Sequence, residues 1–131
     1  EQVLFTGWLD GAEKVAVLKE AALLALPSLQ ENFGLSVVEA LICGVPVLVS
    51  TRVNLAEEIQ ASGAGWVVEL ERPSLFKTLS QALQDAGERA RRGAAGREFA
   101  RRFAWPEIAA DLAKVYQRVS EKTPEVVHEH P

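Results

Sequence analysis

The stretch Pro27–Ser50, PSLQENFGLSVVEALICGVPVLVS, decides the fold. It reads as a strand end at Pro27 and Ser28, a loop over Leu29–Phe33, a helix from about Gly34 to Cys43, and a strand at Val47–Val49. Leu35, Val37, Val38, Leu41 and Ile42 make that helix apolar nearly all round, so it is expected to be buried rather than half-solvated. Gly44 is placed to end it in the left-handed conformation, and Pro46 can open the strand that follows. From Asn32 to Thr51 the one charged residue is Glu39. A carboxylate in so apolar a run has to be paired, hydrogen-bonded or bound to a ligand, because an isolated buried charge is very costly.

The same alternation continues outward. Upstream, Leu23–Leu26 reads as a strand, preceded by a helix over about Ala12–Ala22 with Val15, Leu18 and Ala22 on one face and Asp10 as N-cap. Val3–Phe5 before it is a continuous apolar run, as a strand buried on both faces should be. Downstream, Leu55–Ala61 is a short helix and Gly65–Glu69 a fourth strand. Ser74 can cap a helix over Leu75–Asp85. Gly87–Phe103 is a basic helical stretch whose arginines, between Arg89 and Arg102, recur at several helical offsets and read as a solvated face. Trp105–Val119 is another helix, striped by Trp105, Ile108, Leu112, Val115 and Tyr116. Residues 120–131 carry charge and two prolines without periodicity and are expected to be a mobile tail. Apolar strands alternating with helices predict an α/β fold over residues 1–119, a Rossmann-like parallel sheet with helices on both faces. Ligands of such sheets bind at the carboxyl ends of the strands, here Thr6, Ser28–Phe33, Ser50–Asn54 and Glu69–Pro73.

Bulk properties narrow the function. The chain has 131 residues, 48% hydrophobic and 24% charged, with a formal net charge of −4. A basic footprint for nucleic acid is missing, so nucleic acid is excluded as a partner. No apolar run approaches the roughly 18 residues of a membrane-spanning helix. A cytoplasmic location is expected. The arginine-bearing face between Arg89 and Arg102 leaves a peripheral membrane contact as the less favoured reading, because Glu88 and Glu98 interrupt it. Cys43 is the single cysteine, and His128 and His130 both sit in the tail, so no metal and no cofactor are expected. The chain has no methionine and opens directly on a strand-like run. That pattern fits the C-terminal part of a longer chain; a small protein freed from a cleaved tag is the alternative.

The chemistry concentrates at the loop-to-helix junction. Phe33-Gly34-Leu35-Ser36 opens a helix whose first amide hydrogens lack intrahelical partners, an anion site suited to a phosphate or pyrophosphate. Gly34 lets the backbone approach a ligand closely, and Ser36 could add a hydroxyl donor. Glu31, just outside the helix, can accept hydrogen bonds from sugar hydroxyls, and Glu39, a turn further in, can bind the vicinal hydroxyls of a ribose. On the residues alone a second reading stays open, with Glu31 a solvated or capping loop residue and Glu39 a satisfied core charge. Arg52, at another strand's carboxyl end, reads either as a phosphate contact or as a solvated loop arginine.

These residues resemble the signature of the retaining, group 1 (family 4) glycosyltransferases, P-S-x-x-E-x-F-G-x-x-x-x-E-A-x-x-x-G-x-P-V, at Pro27, Ser28, Glu31, Phe33, Gly34, Glu39, Ala40, Gly44, Pro46 and Val47. VLFTGWL is similar to the family's V-x-F-x-G strand, SGAGWVVE to its glycine turn and strand, and FAWPEIAADLAKVY to its closing helix. The resemblance implies the C-terminal half of a two-domain GT-B enzyme, with a nucleotide diphosphate sugar as donor substrate. The partner is then an N-terminal acceptor-binding domain of the same parent chain. The resemblance also implies sugar transfer with retention of configuration, commonly without a metal. The resemblance further implies that Glu31, as the catalytic-site carboxylate, and the backbone from Asn32 and Phe33 through Leu35 meet the donor sugar. The Leu35 and Ser36 amides meet the diphosphate, and Glu39 meets the ribose. The chain departs from the family at Thr51–Glu58, where only the glutamates of the usual G-G-x-x-E loop remain, and it contains no counterpart of the family's upstream Arg and Lys. The isolated piece is therefore expected to be inactive. Two rival readings are a sugar-nucleotide 2-epimerase half and a non-catalytic module binding a nucleotide or a partner.

Overall fold

The computed structural model describes residues 3–122. They divide into two compact units, one ending at Arg101 and one beginning at Arg102.

The first unit is built on a parallel sheet of three strands in the order β1-β2-β3, with β1 at Leu24–Leu26, β2 at Val47–Ser50 and β3 at Gly65–Val68. Leu24 faces Val47, and Val47 faces Gly65. All four residues of β2 are buried. Successive strand side chains point to opposite faces, so the centre strand is covered on both. Around it pack Val37, Leu41, Val53 and Ile59, all fully or nearly fully buried.

The run Val3–Phe5 is not a strand. Its three side chains are 80%, 83% and 92% exposed, and the sheet has three strands rather than the four expected. An apolar run becomes a strand only when a neighbour supplies its ladder of hydrogen bonds, and none does so here.

Helix α1 spans Gly11–Glu20, with Asp10 at the N-cap position but without a capping side-chain bond. Leu18 is half-buried and Val15 and Ala22 are exposed, so its expected inner face is only partly covered. Helix α2 spans Leu35–Ile42 and is not buried all round. Val37, Val38, Ala40 and Leu41 point inward, while Leu35 and Ile42 are exposed on the side that also carries Glu39. Its end follows the expected glycine chemistry. Gly44 has φ +79°, its amide donates to Leu41, and the Val45 amide donates to Ala40, the paired bonds of a Schellman motif.

Helix α3 spans Ala56–Ser62. Helix α4 spans Arg72–Gln84 and starts ahead of the expected Ser74 cap. Pro73 explains the shift: its fixed φ and missing N–H suit the first turn. Helix α5 spans Ala86–Ala100, with Asp85 accepting the Glu88 amide at 2.8 Å as its N-cap; Arg101–Phe103 continue as a 3-10 turn.

The arginines of α5 are not merely a solvated face. Arg89 donates to the Ala82 and Leu83 carbonyls at 2.8 and 2.6 Å, closing the end of α4. Arg97 donates to the Cys43 carbonyl at 3.1 Å, at the end of α2. Arg92 donates to the Gly65 carbonyl and lies 4.5 Å from the Trp66 ring centre. Each guanidinium meets a helix end or sheet edge that has spare acceptors. Between them α5 approaches the α2–β2 turn so closely that a Cβ on Gly93 would lie 2.1 Å from the Gly44 carbonyl oxygen.

The second unit carries α6, Trp105–Lys122, in which Lys114 and Asp111 pair at 2.8 Å. The helix runs past Val119, so the expected mobile tail otherwise falls on residues 123–131, outside the described residues. No helix among the described residues is long and apolar enough to cross a membrane.

Candidate functional site

The carboxyl ends of β1 and β2 are tied together by a buried hydroxyl. Ser50, the last residue of β2, is fully buried. Its Oγ donates to the Ser28 carbonyl beyond β1 and accepts the Arg52 amide at 3.3 Å. One residue type at one position thereby satisfies a carbonyl on one loop and an amide on the other.

The two loops continue side by side. Glu31 forms a parallel bridge with Val53: the Glu31 amide donates to the Arg52 carbonyl at 3.4 Å, and the Asn54 amide donates to the Glu31 carbonyl at 3.1 Å. The Glu31 backbone is therefore held from both sides, and Arg52 is its neighbour. The Glu31 side chain turns the other way, with Oε1 accepting the Gly34 amide at 3.2 Å. This is the capping arrangement that sequence reading had left open.

Gly34 makes the next step. Its φ is +72° and ψ +58°, the left-handed region that an L side chain enters only with strain. It swings the chain into α2, with the Val37 and Val38 amides both donating to the Gly34 carbonyl. Leu35 and Ser36 lead the helix and are exposed, as are Asn32 and Phe33 in the loop before it. The first amides of α2 thus sit at a solvent-facing helix start, beside the Glu31 carboxylate.

Glu39 lies one turn into α2 and is ion-paired. Lys14 Nζ, in the first turn of α1, is 2.7 Å from Glu39 Oε1, with the two side chains 39% and 37% exposed. The carboxylate is satisfied but not a core charge. Sequence reading missed Lys14. The available signal was its place: a cation in the first turn of a helix opposes the dipole, so a specific partner is to be looked for. Sequence reading placed Ser50 and Thr51 at the strand ends but gave neither a bond: Thr51 Oγ1 donates to Glu69 Oε2 at 3.0 Å across the ends of β2 and β3.

Glu31, Asn32, Phe33, Gly34, Leu35, Ser36 and Arg52 therefore converge on one end of the sheet, with Glu39 a turn below on the exposed side of α2. Thr6 does not end a strand as expected, because Val3–Phe5 forms none. At this end of the sheet Asn32, Phe33, Leu35, Ser36 and Arg52 are exposed, while Gly34 is buried. A cleft of about 190 Å³ lies beside this region, lined by Thr51, Ala56, Glu57, Gln60 and Val67. A larger one of about 350 Å³ lies beside the first residues of β3, lined by Trp66, Arg91 and Arg92 among others. Its guanidinium groups are engaged by Glu88 at 2.7 and 2.8 Å, and Arg91, with Arg92, holds the Glu88 carboxyl down at about 2. Among the described residues no three His, Cys, Asp or Glu side chains come together as a metal site requires.

The family described as "Glycosyl transferases group 1" matches residues 1–99. The chain is 34% identical over 117 residues to the D-inositol 3-phosphate glycosyltransferase of Salinispora arenicola, covering 88% of this chain and 26% of that protein. It is 30% identical over 122 residues to the phosphatidyl-myo-inositol mannosyltransferase of Mycobacterium leprae, covering 92% and 33%. Among solved structures, sucrose-phosphate synthase from Thermosynechococcus elongatus superposes with a TM-score of 0.80 at 28% identity, over 92% of this chain and 31% of that one. The chain thus spans about a quarter to a third of the length of these relatives. The family match over residues 1–99 and these relatives lead to one conclusion: the chain belongs to the group 1 glycosyltransferases.

Proposed function

We propose that this chain is the donor-binding part of a GT-B glycosyltransferase. The whole protein transfers a sugar from a nucleotide diphosphate sugar to an acceptor with retention of configuration. The Leu35 and Ser36 amides receive the diphosphate at the start of α2, where unpaired N–H groups and the helix dipole favour an anion. Glu31, held through its backbone by the 51–54 loop and through Oε1 by Gly34, offers Oε2 to the donor sugar's hydroxyls. The Asn32 and Phe33 segment lies against the same sugar. Glu39 accepts from the ribose hydroxyls, and Arg52 reaches a phosphate oxygen. The acceptor and the remaining half of the cleft come from an N-terminal domain of the parent chain, so the isolated chain does not turn over.

One observation carries this reading. The left-handed turn at Gly34 opens a helix whose first side chains are exposed, with the Glu31 and Glu39 carboxylates each bonded through Oε1. Carboxylates repel a diphosphate, so hydroxyl recognition is what gives their placement a use. Calorimetric titration with UDP, GDP and ADP tests it. At least one is expected to bind, and Glu39→Ala is expected to abolish that binding. Equal binding by the unaltered chain and the variant would overturn the ribose role. Turnover by the isolated chain comparable with intact enzymes of the class would overturn the division of labour between domains.

A further inference from the structure

We propose that Lys14 is a positioning residue of the nucleotide site. It holds the Glu39 carboxylate ready for hydroxyl recognition and cancels its charge beside the diphosphate. Its role presupposes the ribose role of Glu39.

Topology brings the lysine there. Helix α1 leads into β1, so its first turn lies toward the carboxyl ends of the strands, where α2 begins. Lys14 reaches Glu39 across 25 positions of sequence, at 2.7 Å. Both side chains are a little more than one-third exposed. The pair is therefore neither a buried strut nor a freely solvated contact, and a ligand can reach it. A carboxylate has about four acceptor positions on two oxygens, and an ammonium has three donors. One contact between them still leaves the carboxylate acceptor positions for a hydroxyl.

Charge argues the same way. Glu31, Glu39 and Arg52 together carry a formal −1, the sum of two carboxylates and one guanidinium. That is unfavourable beside a diphosphate. Lys14 brings the sum to zero. The lysine also sits where the dipole of its own helix disfavours a cation, so its position is explained by what lies across from it rather than by α1. Docking α1 is the competing explanation, since α1 has no buried residue of its own, and the two make different predictions.

The experiment is calorimetric titration of the chain with UDP, GDP and ADP, then with the 2′-deoxy form of whichever binds. The variants are Lys14→Met, Lys14→Arg, Glu39→Gln and the double variant of Lys14→Met with Glu39→Gln. Lys14→Met is expected to weaken the ribonucleotide about threefold to tenfold, the usual cost of losing one pre-ordered side chain. It should also narrow the gap between ribo- and deoxyribonucleotide. Lys14→Arg should restore most of both. The double variant should bind no worse than Glu39→Gln alone, because the lysine acts through the glutamate. If Lys14→Met weakens both nucleotides equally and lowers the melting temperature, the lysine only docks α1 and the proposal is overturned. If Lys14→Met changes nothing while Glu39→Gln erases the ribose preference, the proposal fails and the ribose role of Glu39 stands. If Glu39→Gln changes nothing, or no nucleotide binds, both fail together.

Discussion

Replacing Gly34 with alanine tests the turn on which the site depends. At φ +72° an L residue pays about 1–2 kcal/mol for the left-handed conformation. The new Cβ would lie 3.3 Å from Val37 Cγ2 and 3.5 Å from Glu31 Cγ. Val37 is fully buried and cannot give way cheaply, so the total lies toward the upper end, about 2 kcal/mol. Gly87→Ala is the matched control. Gly87 lies in the first turn of α5 with an ordinary negative φ, and its Cβ would meet only the exposed Asp85 carboxylate at 3.4 Å. There the same chemical change is expected to stabilise by about 0.4–1 kcal/mol, by restricting the unfolded chain. Urea denaturation of both variants should therefore separate them by about 2–3 kcal/mol at unchanged m-value. Gly34→Asn should recover part of the loss, because asparagine tolerates the left-handed region better than alanine. Equal stability of the two alanine variants would refute the assigned turn, and with it the helix start that faces solvent.

Three further outcomes are expected. Gly93→Ala forces a Cβ against the Gly44 carbonyl oxygen and should cost about 1–3 kcal/mol in denaturant melts, as overpacking does. Ser50→Ala removes the hydroxyl that joins Ser28 to Arg52 and should cost about 1–3 kcal/mol, with faster hydrogen exchange at the Arg52 amide. The Glu88 carboxyl is lowered from 4.5 to about 2 by its hydrogen bond to Arg91, with Arg92 adding to it. A depressed carboxyl contributes stability above its unfolded value and loses it as pH falls toward its folded value. The stability of the unaltered chain should therefore decline between about pH 4.5 and pH 2 more steeply than that of Glu88→Gln. Parallel pH profiles would show that the Glu88–Arg91 contact is absent in solution.

Where a local pattern alone decides the structure, the sequence was readable. The continuous apolar run at Val47–Val49 became the fully buried centre strand, and Gly44 closed α2 as its position suggested. The loop–helix boundary at Gly34 was also legible, because glycine before an apolar helical run has few other uses. Val3–Phe5 carries the same apolar signal as β2 yet forms no ladder, since pairing belongs to the neighbour and not to the run. Leu35 and Ile42 read as core by composition but face outward, because eight residues of helix can bury only the side that meets the sheet. The arginines of α5 looked solvated because their acceptors are carbonyls, which leave no mark in a sequence. The pairing of Lys14 was not legible for a different reason: its partner lies 25 positions away on another helix.

The bridge between Glu31 and Val53 has a practical consequence for engineering donor preference. Residues 29–33 and 51–54 share main-chain bonds and the Ser50 clasp, so they behave as a single hinge-free plate. A segment transplanted from a relative into 51–54 would drag the acidic side chain at 31 to a new place even though position 31 was never edited. Swaps in either segment must therefore carry both, together with the serine that joins them.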